Sequence, residues 1–230
     1  SWCGPTNKLD TYGIANRDWY DVSGGDGFYN QIDPTDWRWV YTESQGGNVS
    51  RYNAATGESA RIRPLRRTEG DEDDEGYDFN WNAPIVVSRH DPATIYIGAD
   101  RLLRSRDRGQ SWEEASPDLT AGIDRDTLEI FGRPLSEAHL SRNDGVGAYG
   151  TLTTVDESPL SPDILWAGTD DGQVQVTWDG GATWTNVTGN IRGLPGRRYV
   201  SRVEASAHAE GRAYVAFDGH YDDDYRPYVF

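Results

Sequence analysis

Short runs of alternating or wholly apolar residues follow one another along the chain, and glycine, aspartate or serine clusters separate them. Runs of this kind span Phe28 to Ile32, Ile85 to Val87, Thr151 to Val155 and Val200 to Ala205. A period of two is typical of β-strands, and no long stretch repeats apolar residues at helical spacing. The pattern therefore predicts an all-β protein.

An internal repeat organises these strands. The segment 91–98 (DPATIYIG) is echoed by 161–168 (SPDILWAG), and more loosely by the residues around Tyr41 and Tyr214. One apolar strand precedes each copy, and a strand pair closed by a tight turn follows it. Four antiparallel strands per period predict the blades of a β-propeller.

Two octamers fit the pattern Ser/Thr-x-Asp-x-Gly-x-Ser/Thr-Trp, at 105–112 and at 177–184. The Asp is expected to accept hydrogen bonds from its own turn, the Gly to supply a positive φ, and the Trp to fill the gap to the adjacent sheet. We therefore predict structural hairpin corners rather than catalytic groups. Their pattern residues are Ser105, Asp107, Gly109, Ser111, Trp112, Thr177, Asp179, Gly181, Thr183 and Trp184.

Through these octamers the chain resembles the Asp-box or BNR-repeat β-propellers, a group that includes sialidases, two-propeller xyloglucanases and sortilin-type receptors. Within that group it resembles the secreted bacterial proteins labelled BNR glycosyl hydrolase or sortilin-like. The resemblance also rests on the segments 1–5, 24–28, 79–82, 157–159, 168–172 and 218–220. It implies a fold rather than a reaction, because propellers host many activities.

The period sets the expected organisation, with about three and a half blades present. The ranges are 1–23 (entry segment from a preceding blade), 24–67 (blade A), 68–76 (acidic loop), 77–120 (blade B), 121–146 (connecting insertion), 147–196 (blade C) and 197–230 (incomplete blade D). Rings of this kind close with about six to eight blades. We therefore expect a fragment of a larger ring, whose remaining blades lie in further sequence or in a partner chain.

Composition narrows the function classes. A net charge of -16 argues against a nucleic-acid partner, since phosphate binding needs a basic surface. No apolar run approaches the about 18 residues of a membrane span, so membrane insertion is not expected. Cys3 is the single cysteine, which leaves the redox compartment open. The resemblance implies a secreted, periplasmic or cell-surface protein.

The inner strand of each propeller blade lines the central channel, so polar residues at the starts of these strands converge on its mouth. These residues are the predicted glycan, peptide or protein contacts, with satisfaction of buried backbone groups as the alternative. They are Asp26, Asn80, Trp81, Asn82, Tyr149 and Arg202.

Three carboxylates near inner strands are candidates for catalysis, namely Glu157, Glu204 and Asp26. A glycosidase needs two carboxyl groups about 5 to 10 Å apart, with the pKa of one of them raised. Sequence does not give that separation, and a structural role is the favoured alternative.

The acidic tail is a candidate calcium site, because Ca²⁺ takes clustered carboxylate and carbonyl oxygens. The alternative is a polar loop held by Arg226, and no other cofactor is expected. The tail carboxylates are Asp218, Asp222, Asp223 and Asp224.

Three functions stay open at this point. The favoured one is an extracellular propeller that binds or scaffolds a glycan, peptide or protein in its funnel. The second is a glycoside hydrolase of sialidase-like or xyloglucanase-like type that uses a carboxylate pair. The third is a structural subunit of a larger extracellular assembly.

Overall fold

The computed structural model describes residues 1–66, 76–130, 133–134 and 148–230. Most of the predicted acidic loop and much of the predicted insertion lie outside the described residues. In the described part, all strand pairs are antiparallel, and helical residues are confined to short 3₁₀ turns. These turns are Asn16–Asp18, Arg125–Thr127, Thr188–Asn190 and His220–Asp222. None of the helices in this part is long and apolar enough to cross a membrane.

Four sheets follow each other along the chain, one within each range assigned to a blade, and each is a meander in sequence order. Blade A contains β3 (Gly27–Ile32), β4 (Trp39–Ser44), β5 (Asn48–Asn53) and β6 (Ser59–Arg61). Blade B contains β7 (Ile85–Val87), β8 (Ile95–Gly98), β9 (Leu102–Ser105) and β10 (Glu113–Glu114). Blade C contains β13 (Leu152–Glu157), β14 (Leu165–Thr169), β15 (Val174–Thr177) and β16 (Thr185–Asn186). Blade D contains β17 (Tyr199–Ala205), β18 (Ala213–Asp218) and β19 (Tyr228–Val229).

Two smaller hairpins lie outside the blades. The entry segment pairs β1 (Trp2–Cys3) with β2 (Tyr20–Asp21), and the described part of the insertion pairs β11 (Glu129–Ile130) with β12 (Arg133–Pro134). The fold class predicted from the sequence is thus confirmed, with three four-stranded blades and a fourth that has three strands in the described part of the chain.

The core lies between blades rather than within them. One apolar cluster joins blades A and B, a second joins B and C, and a third joins C and D. Strand β14 shows the cause, because alternate side chains point to opposite faces of a sheet. Leu165 and Ala167 belong to the cluster with blade B, whereas Trp166 belongs to the cluster with blade D.

The inner strands β7, β13 and β17 are tied together by polar contacts as well. Thr154 Oγ1 accepts the Val203 N–H at 3.1 Å, and Asp156 Oδ2 accepts the Ala205 N–H at 2.7 Å. On its other side Asp156 accepts a hydrogen bond from Arg89 Nη2 at 3.1 Å. Asp156 therefore bridges blades B, C and D, and its burial raises the pKa of this carboxyl.

The two octamers form hairpin corners with the same hydrogen bonds. Asp107 Oδ1 accepts the Ser111 N–H at 2.8 Å and Asp107 Oδ2 accepts the Ser111 hydroxyl at 2.6 Å, and Asp179 does the same with Thr183 at 2.8 and 2.6 Å. These donors lower the pKa of both carboxyls to about 2. The carboxylate of each Asp is thus hydrogen-bonded within its own turn.

Each octamer tryptophan reaches the preceding blade. Trp112 Nε1 donates to the Ile62 carbonyl of blade A at 2.8 Å, and Trp184 Nε1 donates to the Ala115 carbonyl of blade B at 3.0 Å. The octamer glycines lie against the same two residues. A Cβ at Gly109 would lie 2.5 Å from Ile62 Cδ1, and one at Gly181 would lie 2.4 Å from the Ala115 oxygen. The octamer is thus an inter-blade joint.

Candidate functional site

An aromatic and acidic cleft of about 630 Å³ opens where the inner strands of blades B, C and D begin. We call it the mouth cleft. It combines residues before β7, before β13 and at the start of β17 with the β14–β15 turn and the tail after β18. Its lining is Asn80, Trp81, Leu128, Glu129, Ala148, Tyr149, Asp170, Arg197, Arg198, Tyr199, Asp218, Tyr221 and Asp222.

Four aromatic rings line the mouth cleft. Trp81 is about half exposed, at 48%, and the Tyr199 and Tyr221 rings lie 6.1 Å apart between centroids. Tyr149 completes the set. Burial raises the pKa of the Tyr149 and Tyr199 phenols, so both keep their protons and remain hydrogen-bond donors near neutral pH. Flat rings that are at least partly exposed and carry polar groups at their edges suit a ligand that has both apolar faces and hydroxyl groups.

Asp170 is the carboxylate that the fold fixes most firmly in this cleft. Its Oδ1 accepts the backbone N–H groups of Gly150 at 3.1 Å and Thr151 at 2.8 Å. Its Oδ2 accepts the Thr151 hydroxyl at 2.8 Å and Asn80 Nδ2 at 3.4 Å. Desolvation nevertheless dominates and, together with the neighbouring Asp171 charge, raises the pKa of Asp170 to about 6.

Asp218 is a second carboxylate in the cleft, and its pKa is shifted in the opposite direction. It accepts the His220 backbone N–H at 2.8 Å and contacts His220 Nδ1, and these hydrogen bonds lower the pKa of Asp218. The mouth cleft therefore holds one carboxyl group that is partly protonated near pH 6 and another that is ionised. Divergent pKa values in one cleft are the arrangement that acid–base catalysis requires.

Of the six predicted ligand contacts, three line the mouth cleft: Asn80, Trp81 and Tyr149. Asn82 instead donates its backbone N–H to Asn80 Oδ1 at 3.1 Å, and the Asp26 backbone N–H is bound by Gln45 Oε1 at 2.9 Å. Arg202 lines a separate, narrower cleft of about 240 Å³ between the inner strands, and it pairs with Glu204 at 2.8 Å.

The three predicted catalytic carboxylates do not line the mouth cleft. Glu157 is fully buried and accepts the Ser88 hydroxyl at 2.9 Å and the Arg89 N–H at 2.7 Å, both from blade B. Glu204 is about half exposed in its ion pair with Arg202. Asp26 is exposed near the entry segment. The contacts of Glu157 and Glu204 fit the structural alternative.

Three of the tail carboxylates, Asp218, Asp222 and Asp224, bind protein groups. Asp224 accepts two hydrogen bonds from Arg226, both at 2.8 Å, and one from the Tyr228 hydroxyl at 2.7 Å. Asp222 pairs with Arg198 at 3.0 Å. Across the described residues, no three His, Cys, Asp or Glu side chains are grouped so that they could hold a metal ion. Arg226 binds Asp224, which is the contact that the polar-loop alternative expects, and calcium at the tail stays a prediction.

Sequence reasoning missed Asp170, Tyr199 and Tyr221 as lining residues. In an antiparallel meander the turn after the second strand returns to the end where the first strand begins. An Asp-Asp-Gly turn at 170–172 was therefore a usable signal for the mouth. The fold of the tail around Tyr221 had no such signal.

Comparison with known proteins agrees with this architecture. No protein-family model matches the chain. The chain is 26% identical over 198 residues to an oligoxyloglucan-reducing end-specific xyloglucanase from Emericella nidulans, a match that covers 84% of this chain and 22% of that protein. The crystal structure of an ancestral GH74 enzyme has a TM-score of 0.51 at 15% identity, covering 84% of this chain and 22% of that one.

The chain is a partial β-propeller. A GH74 enzyme from Niastella koreensis is also similar, with a TM-score of 0.49 at 18% identity over 85% of this chain and 27% of the enzyme. The partial propeller spans 22% of the length of the xyloglucanase and 22% of the ancestral GH74 enzyme. The xyloglucanase from Emericella nidulans is a glycoside hydrolase. Glycoside hydrolase is also the enzyme class that the sequence analysis predicts if the protein is an enzyme.

Proposed function

We propose that the protein is a propeller glycoside hydrolase, that the mouth cleft binds a glycan chain, and that Asp170 acts there as general acid. The observation that carries the proposal is the meeting of four aromatic rings and two carboxyl groups of opposite pKa shift in one cleft. Likeness to a xyloglucanase supports a β-linked glucan as the substrate class. Action on such a polymer would place the protein outside the cytoplasm, as the Asp-box resemblance also implies.

Aromatic rings would hold the sugar faces. Pyranose rings present C–H groups on their faces and hydroxyl groups at their edges, so they stack on Trp81 and the tyrosines while hydrogen bonds fix their orientation. Asp170 at a pKa of about 6 is protonated often enough to donate to a glycosidic oxygen. Asp218, ionised, is suited to activate water or to stabilise positive charge on the sugar.

Binding is tested by calorimetric titration of the full chain with xyloglucan oligosaccharides. We expect Trp81→Ala to weaken binding about tenfold or more, because it removes a stacking surface. Trp37→Ala is the matched control, since Trp37 is 66% exposed and does not line the cleft. Equal affinity of the two variants would remove the mouth cleft as the glycan site.

Catalysis is tested by release of reducing ends. Asp170→Asn and Asp218→Asn are expected to lower the rate by orders of magnitude while the affinity for oligosaccharide changes little. The wild-type rate should decline as the pH rises above about 6, where Asp170 loses its proton. Full activity in Asp170→Asn would refute its role as acid.

A second candidate is a propeller that binds a glycan in the mouth cleft without cleaving it. This is one form of the function that the sequence favours, a module that binds or scaffolds a glycan, peptide or protein. One observation supports this second candidate: four donors already engage the Asp170 oxygens and would restrain proton transfer. Binding that depends on Trp81 without any release of reducing ends would establish it.

A further inference from the structure

A chain of hydrogen bonds that all point the same way reaches the Asp170 carboxyl group from blade B. The Asn82 N–H donates to Asn80 Oδ1 at 3.1 Å. Asn80 Nδ2 donates to Thr151 Oγ1 at 2.9 Å, and the Thr151 hydroxyl donates to Asp170 Oδ2 at 2.8 Å. We call this chain, from Asn82 through Asn80 and Thr151 to Asp170, the B–C relay.

The donors fix the direction of the B–C relay. A backbone N–H can only donate, so the Asn80 atom that faces Asn82 is the amide oxygen, and the amide nitrogen faces Thr151. An amide nitrogen does not accept, so the Thr151 hydroxyl cannot turn its hydrogen toward Asn80. Thr151 is fully buried, so solvent does not offer another acceptor. The hydroxyl hydrogen is therefore directed at Asp170 Oδ2.

The hydrogen bonds also distinguish the two oxygens of Asp170. Oδ1 accepts two backbone N–H groups, from Gly150 at 3.1 Å and from Thr151 at 2.8 Å, which occupy both of its lone pairs. Oδ2 accepts the Thr151 hydroxyl, and its other partner among the described residues is Asn80 Nδ2 at the longer distance of 3.4 Å. A proton on Asp170 therefore belongs on Oδ2, in the position of the long Asn80 contact.

Burial and hydrogen bonding act on Asp170 in opposite directions. Desolvation favours the neutral carboxylic acid, whereas each donor stabilises the charged carboxylate. Desolvation is the larger effect, and the pKa of Asp170 is raised to about 6 in spite of the donors. Backbone donors do not depend on the side chains present, so Thr151 and Asn80 are the residues through which the sequence adjusts this balance.

Other charged groups near Asp170 act on it without a hydrogen bond. Among them, Asp171 raises the pKa of Asp170 by its charge, and Asp171 itself accepts the Thr169 hydroxyl at 2.5 Å and the Ala121 N–H at 2.6 Å. These groups are unaltered when Thr151 or Asn80 is replaced. The other titratable residues that line the mouth cleft with Asp170 are Glu129, Tyr149, Arg197, Arg198, Tyr199, Asp218, Tyr221 and Asp222.

We propose that Asn80 and Thr151 are positioning residues of the mouth cleft, which hold the Asp170 carboxylate in its ionised form and so set the pH at which the general acid loses its proton. Thr151 acts on Asp170 directly, and Asn80 acts through Thr151. The consequence for the reaction rate rests on the proposed function, whereas the effect on Asp170 itself is measurable without a glycan.

¹³C NMR of the full chain, labelled at the aspartate carboxyl carbons, measures the protonation of Asp170 directly. Asp170→Asn removes one resonance and thereby assigns it. We expect Thr151→Val to increase the proton affinity of Asp170 about tenfold, because it removes a donor to the charged form and keeps a branched side chain. Thr151→Ser restores the hydroxyl and should restore the wild-type titration. An unchanged titration in Thr151→Val overturns the proposal.

Thr153→Val is the matched control on the same strand. Thr153 is also buried, but its hydroxyl donates to the carbonyls of Val200 and Gly168. The same loss of a hydroxyl should leave the titration of Asp170 unchanged here. An equal change in Thr153→Val would assign the effect to lost packing and contradict the proposal.

Asn80→Ala tests the first part of the B–C relay, and it keeps the proposal testable if Thr151→Val does not fold, because Asn80 is only partly buried. We expect about a threefold increase in the proton affinity of Asp170. In the Thr151→Val background Asn80→Ala should add little, because the hydroxyl through which Asn80 acts is gone. No increase in the otherwise wild-type chain, or an equal increase in both backgrounds, contradicts the relay.

The pH dependence of kcat/KM supplies a second readout. The wild-type value should decline above about pH 6, and that of Thr151→Val about one pH unit higher, so the variant should keep about fivefold more of its own maximum at about pH 7. A variant that is slower at every pH, with its decline unmoved, contradicts the proposal. If the wild-type protein hydrolyses no glycan, the proposed hydrolase fails, whereas the B–C relay is decided by the NMR titration.

Discussion

Removal of the Glu157 carboxylate tests whether this residue joins blades or takes part in chemistry. Glu157 is fully buried at the end of β13 and accepts hydrogen bonds from three donors. The Ser88 hydroxyl lies 2.9 Å from both carboxylate oxygens, the Arg89 N–H donates at 2.7 Å and the Tyr96 hydroxyl donates at 3.4 Å. All three donor residues belong to blade B, so Glu157 is a direct polar link between blades B and C.

The expected magnitude follows from those donors. A buried donor left without an acceptor costs about 1 to 3 kcal/mol, and Glu157→Ala strands the Ser88 hydroxyl and the Arg89 N–H at short range. Together with the lost packing we expect the free energy of unfolding to fall by about 3 to 5 kcal/mol. Glu157→Gln keeps one acceptor oxygen, so its loss should be about 1 to 2 kcal/mol.

Urea denaturation followed by tryptophan fluorescence measures the effect, with Glu210→Ala as an exposed control expected to stay within about 0.5 kcal/mol of wild type. A loss below about 1 kcal/mol in Glu157→Ala would refute the inter-blade role. Glycan binding and hydrolysis by Glu157→Gln should equal those of wild type. Loss of hydrolysis in a stable Glu157→Gln protein would return this residue to the catalytic candidates.

Three further predictions follow from individual contacts. Burial raises the pKa of Glu43 to about 8 from its ordinary value of 4.5, so the folded state holds the extra proton and the free energy of unfolding should fall as pH rises between these values. Urea titrations from pH 4 to 9 should show a smaller decline in Glu43→Gln. Gly168→Ala would place a Cβ 2.4 Å from Val200 Cγ1 and should lower the unfolding free energy by about 1 to 3 kcal/mol, whereas Gly189→Ala, with open space around it, should not. Trp184→Phe removes the 3.0 Å bond to blade B and should lower the thermal midpoint by a few degrees.

Local chemistry explains which elements the sequence could predict. The octamer at 177–184 specifies its own hairpin, because its Asp, Gly and hydroxyl groups satisfy one another within eight residues. The unbroken apolar run of β14 likewise predicts a strand that is covered on both faces, and Leu165 and Trp166 are both buried. Such signals are contained in a single hairpin and need no knowledge of its neighbours.

The candidate site depends on contacts between residues of different blades, and the order of residues along the chain does not specify these contacts. Asn80 reaches Thr151 and Asp170 across the B–C interface, and the tail brings Asp218 to the same cleft. Conversely, the apolar neighbours of Glu157 in the sequence indicate a carboxylate held in place, which is why it is a catalytic candidate. The structure does bury Glu157. Its hydrogen-bond partners lie on blade B, and nothing in the sequence indicates that these residues contact Glu157.

Strand geometry separates the carboxylates into two groups. Thr151, which binds Asp170 at the mouth cleft, immediately precedes β13, and Glu157 ends that strand. Six residue steps of about 3.3 Å each place Thr151 and Glu157 about 20 Å apart, well beyond the about 5 to 10 Å between the carboxyl groups of a glycosidase. In the proposed hydrolysis, the carboxyl group that acts with Asp170 must therefore lie at the mouth end, as Asp218 does, and cannot be that of Glu157.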